Sequence, residues 1–140
     1  MFDDFYRGKR VLVTGHTGFK GSWLSAWLLN LGADVVGYSL DVPSDPAIFE
    51  DIKLSEKITD IRGDIRDLDT CRRATNGCDY VFHHAALGSV PRSIKDPVKA
   101  WSIAVAPLAG KLSRISIQTP SSLLGTTPYP PHKPLPVLEV

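Results

Sequence analysis

The chain has 140 residues, 43% of them apolar, and a formal net charge of +1. That length allows about one domain with a small core, and the near-zero charge offers no electrostatic footprint for nucleic acid or an anionic membrane surface. No apolar run approaches the roughly 20 residues of a membrane-spanning helix, and Met1-Phe2-Asp3-Asp4 lacks the basic-then-apolar start of a secretory leader.

After a lead-in over residues 5–10, Val11 to Thr14 reads as a first strand, apolar until its last residue, as a strand covered on both faces should be. Gly15-His16-Thr17-Gly18-Phe19-Lys20-Gly21 follows, and then an apolar-periodic stretch. The order reads as strand, tight turn, helix. The first glycine turns the chain where a Cβ would clash. The second admits a ligand close to the backbone, and the third lets the helix pack tightly on the sheet. Free N–H groups at the start of the helix suit a pyrophosphate. The spacing G-x-x-G-x-x-G is one residue longer than the dinucleotide fingerprint, but the strand before it and the helix after it supply the context that fingerprint needs. Gly15, Thr17, Gly18, Phe19, Lys20 and Gly21 are therefore candidate dinucleotide contacts.

The helix spans about residues 19–31. Phe19, Trp23, Trp27 and Leu31 repeat at i, i+4 and predict one buried stripe, with Gly32 as C-cap. A second strand follows over 34–40 and a short helical pattern over 48–54. The third strand lies within 58–65 and ends in Gly63-Asp64-Ile65. Residues 68–75 look helical, and 80–83 form a fourth strand running into His84-Ala85-Ala86. This alternation predicts an α/β fold: a doubly wound, Rossmann-like parallel sheet in the order 3-2-1-4-5, with helices on both faces. Past Asp96-Pro97 the pattern weakens. Residues 98–112 have helical composition interrupted by Pro107, and 114–118 alternate like an edge strand. Seven of the eleven prolines follow Val98, so 120–140 reads as an irregular Pro-rich tail. Cys71 and Cys78 stand outside metal-ligand spacing and read as reduced thiols, which suggests a cytoplasmic protein.

Three signatures stand in order: Thr14-Gly15-x-x-Gly18-x-x-Gly21, Gly63-Asp64-Ile65-x-Asp67 and His83-x-Ala85-Ala86. Over roughly residues 8 to 97 they make the chain resemble the extended short-chain dehydrogenases of the NAD-dependent epimerase/dehydratase family, which act on nucleotide sugars. Residues 14–24 and 37–41 resemble its CDP-glucose 4,6-dehydratase branch. Residues 85–97 resemble its UDP-N-acetylglucosamine 4-epimerase branch. The resemblance implies NAD at the glycine turn, adenine at Asp64 and Ile65, and the nicotinamide ribose at Ala85 and Ala86. It implies a nucleotide-sugar substrate, with Gly88 to Ser93 as a loop at its site and Ser89 and Arg92 as contacts, Arg92 toward a phosphate. An acid for the ribose, expected about twenty residues past the glycines, falls at Ser39. Asp41 is the nearest substitute, and NAD is favoured over NADP. His83 and His84 are adjacent on a strand and point to opposite faces, so they do not chelate together and no metal site is expected; the resemblance implies that these positions, His16 included, serve packing and hydrogen bonding.

The family oxidises the sugar C4 transiently. It uses a Tyr at i, i+4 from a Lys, which lowers the tyrosine pKa, and a Ser or Thr on the fifth strand. Here Ser102-Ile103-Ala104-Val105 departs from the family's fourth-helix pattern. Counted back from Gly125, the hydroxyl position falls on Pro120, with Ser121 and Ser122 as neighbours in a shifted register. Tyr129-Pro130-Pro131-His132-Lys133 spells Tyr-x-x-x-Lys, but two prolines oppose the helix that would put both side chains on one face. The family's own pair, and its substrate domain, would fall beyond residue 140. The expectation is an incomplete NAD(P)-binding domain over 1–119, truncated and inactive alone, with the tail over 120–140. The alternative is a free-standing, non-catalytic NAD-binding module or a decayed remnant. Oligomeric state stays open.

Overall fold

The computed structural model describes residues 4–87 and 89–105, and the backbone of 117–118. In chain order the elements are β1 (Arg10–Thr14), α1 (Phe19–Asn30), β2 (Asp34–Ser39), α2 (Ile48–Asp51), a 3₁₀ turn (Leu54–Glu56), β3 (Thr59–Arg62), α3 (Leu68–Thr75), β4 (Tyr80–His83), α4 (Val90–Lys95), α5 (Pro97–Val105) and β5 (Ile117–Gln118). All strand pairings are parallel, in the order β3-β2-β1-β4-β5. β1 is central, and its residues alternate between two cores. Val11 and Val13 pack with Val35, Phe82 and Leu28 of α1 on one face. Leu12 packs with Val36, Tyr38, Val81 and Cys71 and Ala74 of α3 on the other. A sheet covered on both faces explains the near-continuous apolar run of β1.

The helix after β1 does not bury the aromatic stripe that its spacing suggested. Phe19 is 70%, Trp23 55% and Trp27 47% exposed, and the inward residues are Gly21, Ser22, Ser25 and Leu28. The cause is local. A Cβ on Gly21 would collide with the carbonyl of Gly15, and the Ser22 hydroxyl donates to the His16 carbonyl at 2.9 Å. Both fix the helix phase from its first turn and turn the aromatic side outward. The third glycine thus seats the helix on the turn itself, rather than on the sheet as expected.

Two further motif residues have structural reasons of their own. Asp67 caps α3, accepting from the N–H groups of Asp69 and Thr70 at 3.1 and 3.3 Å. A Cβ on Gly63 would stand 3.0 Å from Cε2 of the buried Tyr38 ring. The Tyr38 hydroxyl donates to the Asp64 carbonyl at 2.6 Å, and burial, first among the causes, pushes the phenol up to about 12. Residues 88–93 were expected as a loop. The structure instead begins α4 at Val90, with Pro91 in the first turn, where its missing N–H costs little. Pro107 and residues 120–140 lie outside the described residues. Among those described, no helix is long and apolar enough to cross a membrane.

β1 and β4 are tied by one buried hydroxyl. Thr14 Oγ1 accepts from the N–H groups of His84 and Ala85, each at 3.1 Å, and lies 2.7 Å from His83 Nδ1. With both lone pairs used, its own proton must go to Nδ1. His83 therefore carries its proton on Nε2, which donates to the Ala104 carbonyl of α5 at 3.2 Å. A second proton on this ring would have no acceptor at Thr14.

Two outcomes follow for stability. Gly21→Ala should destabilise the fold by more than about 3 kcal/mol, because rigid backbone faces the new methyl. Gly77→Ala, at φ +73° with open space around it, should cost only about 1 kcal/mol. Urea denaturation of both variants measures the contrast. Burial holds the His83 and His16 pKa values below the ordinary 6.5. Their contribution is fully present above the unfolded-state pKa and is lost as pH falls, because the unfolded chain takes up protons first. The urea midpoint should drop between pH 7 and 5, and more shallowly in His83→Gln.

Candidate cofactor site

The turn after β1 and the chain leaving β4 meet at the point where the strand order reverses, the crevice in which doubly wound sheets take ligands. Gly15 has φ +71°, and a Cβ on it would stand 3.0 Å from the Ala85 nitrogen and the His84 carbonyl carbon. Only glycine allows this backbone-to-backbone approach. The Gly15 carbonyl accepts from the N–H of Gly18 at 3.1 Å, which closes the turn. Gly18 differs from its two neighbours in the motif: a Cβ there would touch only the Gly15 oxygen, at 3.4 Å, so its outer side is open. It stands at the N-cap of twelve-residue α1, where no side chain caps the helix and no acid occupies the first turn. An uncapped helix N-terminus beneath an open glycine fits an anionic pyrophosphate.

The remaining candidates sort by position. Thr17 is buried and hydrogen-bonds Ser39 at the end of β2, oxygen to oxygen 2.6 Å, and its hydroxyl lies 3.5 Å from the Asp41 carbonyl. Asp41 itself is exposed just past β2. Phe19 and Lys20 are exposed in the first turn of α1. Asp64, past β3, accepts from Arg66 through both its main-chain N–H and its guanidinium Nε, at 2.9 Å each. The Arg66 hydrogen bonds hold the Asp64 carboxyl at about 2, so it is ionised at neutral pH. Ile65 is given to the core, packed with Leu12 and Tyr38. Ala85 is half-buried at the crevice, and Ala86 is exposed beside it.

The structure thus brings Gly15, Gly18 and Ala85 together at the ends of β1 and β4, sets Thr17 beside Ser39 and the Asp41 carbonyl at the exit of β2, and leaves Asp64 at the exit of β3. Ser89 precedes α4, its carbonyl accepting from Ser93 N–H at 2.9 Å, and Arg92 is exposed on that helix. Ser121, Ser122, Tyr129 and Lys133 lie outside the described residues. Burial lowers the pKa of His84, and the charge of Lys20 lowers it further. Among the described residues, no group of three His, Cys, Asp or Glu could hold a metal ion. Sequence reasoning missed the Thr14 hydroxyl and Arg66. The first was signalled by a polar residue ending an apolar strand, the second by a base two residues past an acid, a spacing too common to single out.

Residues 11–109 match the NAD dependent epimerase/dehydratase family. CDP-glucose 4,6-dehydratase of Salmonella typhimurium is 48% identical over 101 residues, which are 71% of this chain and 28% of that protein. The chain therefore spans under a third of that relative's length. UDP-N-acetylglucosamine 4-epimerase of Methanobrevibacter ruminantium superposes with a TM-score of 0.65 at 27% identity, over 91% of this chain and 43% of that one. UDP-glucose 4-epimerase of Bifidobacterium longum, solved with NAD+ and UDP, gives 0.65 at 26%, over 89% and 41%. With its three signatures, its parallel sheet and the match over most of its length, this chain belongs to the NAD dependent epimerase/dehydratase family.

Proposed function

We propose that these 140 residues form the NAD-binding portion of a nucleotide-sugar epimerase or dehydratase and that, by themselves, they bind the cofactor without turning over a sugar. The observation that carries this reading is the open face of Gly18 above the uncapped start of α1, at the switch point of the sheet. The turn from Gly15 to Gly21, with Thr17, Phe19 and Lys20, faces the pyrophosphate. Its N–H groups and the helix dipole supply the positive end of that contact. Asp64 offers a carboxylate to the adenine amine from beside Arg66, and Ile65 sits behind it. Thr17, Ser39 and Asp41 line the ribose position, in favour of NAD over NADP. Ala85 and Ala86 leave room for the nicotinamide ribose. Bound NAD supplies a reversible hydride acceptor.

A nucleotide sugar is the substrate class supported by the relatives, with Ser89 and Arg92 on the side where it would lie. Catalysis needs the sugar held within hydride reach while a base removes its hydroxyl proton. The Tyr-x-x-x-Lys spelled by Tyr129 and Lys133 spans Pro130 and Pro131, which oppose a helix there. By sequence the hydroxyl position falls on Pro120, with Ser121 and Ser122 one and two residues on.

Gly18→Val separates binding from folding. Its Cβ meets nothing closer than 3.4 Å, and its φ of −76° is one that valine adopts. The variant should keep the wild-type urea midpoint and lose NAD affinity by about tenfold or more in calorimetry; equal affinities would refute the site. With saturating NAD the purified chain should neither dehydrate CDP-glucose nor epimerise UDP-sugars. Turnover that disappears in Tyr129→Phe would assign the base to Tyr129 and overturn that part of the proposal. Turnover that survives the change would overturn it through another base.

A further inference from the structure

In doubly wound sheets an acid near the end of β2 takes the ribose 2′-hydroxyl, whereas an arginine there takes a 2′-phosphate. This chain has Ser39 at the end of β2, and Arg62 pairs with Ser39 in the parallel register from the end of β3. By residue type alone, a missing acid and a neighbouring arginine favour a 2′-phosphate.

The geometry opposes that reading. Arg62 Nε and Nη2 donate to the two Asp60 oxygens at 2.9 and 3.0 Å, a two-pronged pair. Nη1 donates to the Leu40 carbonyl at 3.0 Å, and the guanidinium lies over the Phe49 ring, 4.9 Å from its centroid. Three of its five N–H groups and one face are therefore engaged within the protein, on a side chain that stays 34% exposed. Asp60 is held in turn. His16 Nε2 donates to the oxygen that Arg62 Nε also reaches, at 2.8 Å. The His16 ring is fully buried, edge-on to Phe49, and presses on Gly37, where a Cβ would collide with it. Burial raises the Asp60 pKa, but the hydrogen bonds from Arg62 and His16 outweigh it and keep the carboxyl below its usual range. The buried histidine thus fixes the carboxylate, and the carboxylate fixes and neutralises the guanidinium. What the end of β2 presents instead is the hydroxyl pair of Thr17 and Ser39, 2.6 Å apart. After their mutual hydrogen bond and the Thr17 contact to the Asp41 carbonyl, the pair keeps free lone pairs that can accept from a 2′-hydroxyl.

We infer that Asp60 sets cofactor choice as a positioning residue: it withholds Arg62 from a 2′-phosphate and leaves the ribose to the Thr17 and Ser39 hydroxyls, which suit a free 2′-hydroxyl. The inference rests on the dinucleotide reading above and adds the residue that decides between the two cofactors. Freeing the guanidinium makes it available to a 2′-phosphate and removes a carboxylate that repels one.

The test is calorimetric titration of the purified chain with NAD and with NADP, each variant checked for folding by urea denaturation. Wild type should bind NAD at least about tenfold tighter than NADP. Asp60→Asn should narrow that ratio by about tenfold, and Arg62→Met added to Asp60→Asn should abolish the gain. Asp60→Ser, smaller and still able to accept from His16, is measured in parallel and carries the same expectation. A purely structural role for Asp60 would weaken both nucleotides in proportion, and that result overturns the inference, as does loss of the fold in both variants. Retention of the NADP gain in the double variant overturns it as well. NAD binding with an unchanged ratio sinks this inference alone, whereas a wild type that binds neither nucleotide sinks the dinucleotide reading with it.

Discussion

The carbonyl of Gly15 is the point on which the site depends. It accepts from Gly18 to close the turn, and it occupies the space that a side chain at residue 21 would need. One oxygen therefore shapes the loop and sets where α1 begins and how it is rotated. The other side of Gly15 lies against the backbone leaving β4. Such contacts leave no room for adjustment, because main chain cannot change rotamer to relieve a clash. The rigidity is useful at a binding site, since N–H groups held in place lose little freedom when an anion arrives.

The side-chain chemistry around this centre serves placement. Thr14 uses its whole hydrogen-bonding capacity to hold the start of the β4 exit and one nitrogen of His83. His83 passes the connection on to α5 through Ala104. His16 does the same on the other flank, from the glycine turn to Asp60 of β3. Tyr38 reaches from β2 to the loop after β3. Each of these groups is buried, and each bridges two strand ends or a strand and a helix, His16 reaching past β2 to β3. Unpaired, they would be costly in the interior; paired, they fix the spacing of loops that the apolar core alone would leave adjustable. His16 and His83, which by residue type suggest acid–base chemistry, bridge neighbouring segments here, with burial holding both pKa values below the ordinary one.

The candidate crevice is accordingly assembled from residues far apart in sequence but close in the parallel sheet. β1 and β4 adjoin although the chain between them passes through β2 and β3. The switch point is a product of that order. Right-handed crossovers place α1 and α3 on opposite faces and leave the strand ends between them uncovered.

Much of this was legible in residues 10–87. The apolar run of Val11 to Val13, the three glycines and the alternation of short apolar and amphipathic segments identify a parallel α/β sheet and its strand order, because strand burial, turn conformation and crossover handedness are local or nearly local properties. The candidate turn was legible for the same reason: a glycine is required wherever backbone meets backbone. The orientation of α1 was not. Its i, i+4 aromatics state an apolar face, but which face turns inward was decided by the Gly15 carbonyl and the Ser22 hydroxyl, a contact of specific atoms that periodicity does not encode. Nor could the sequence show that Arg62 is engaged by Asp60, or that Ser39 meets Thr17. Those pairs depend on the register of β2 against β3 and on the placement of the turn beside them. Residue types and spacing thus determined the architecture and pointed to a candidate site, while the tertiary structure decided which of its charges are already paired, because a charge paired within the protein offers little to one outside.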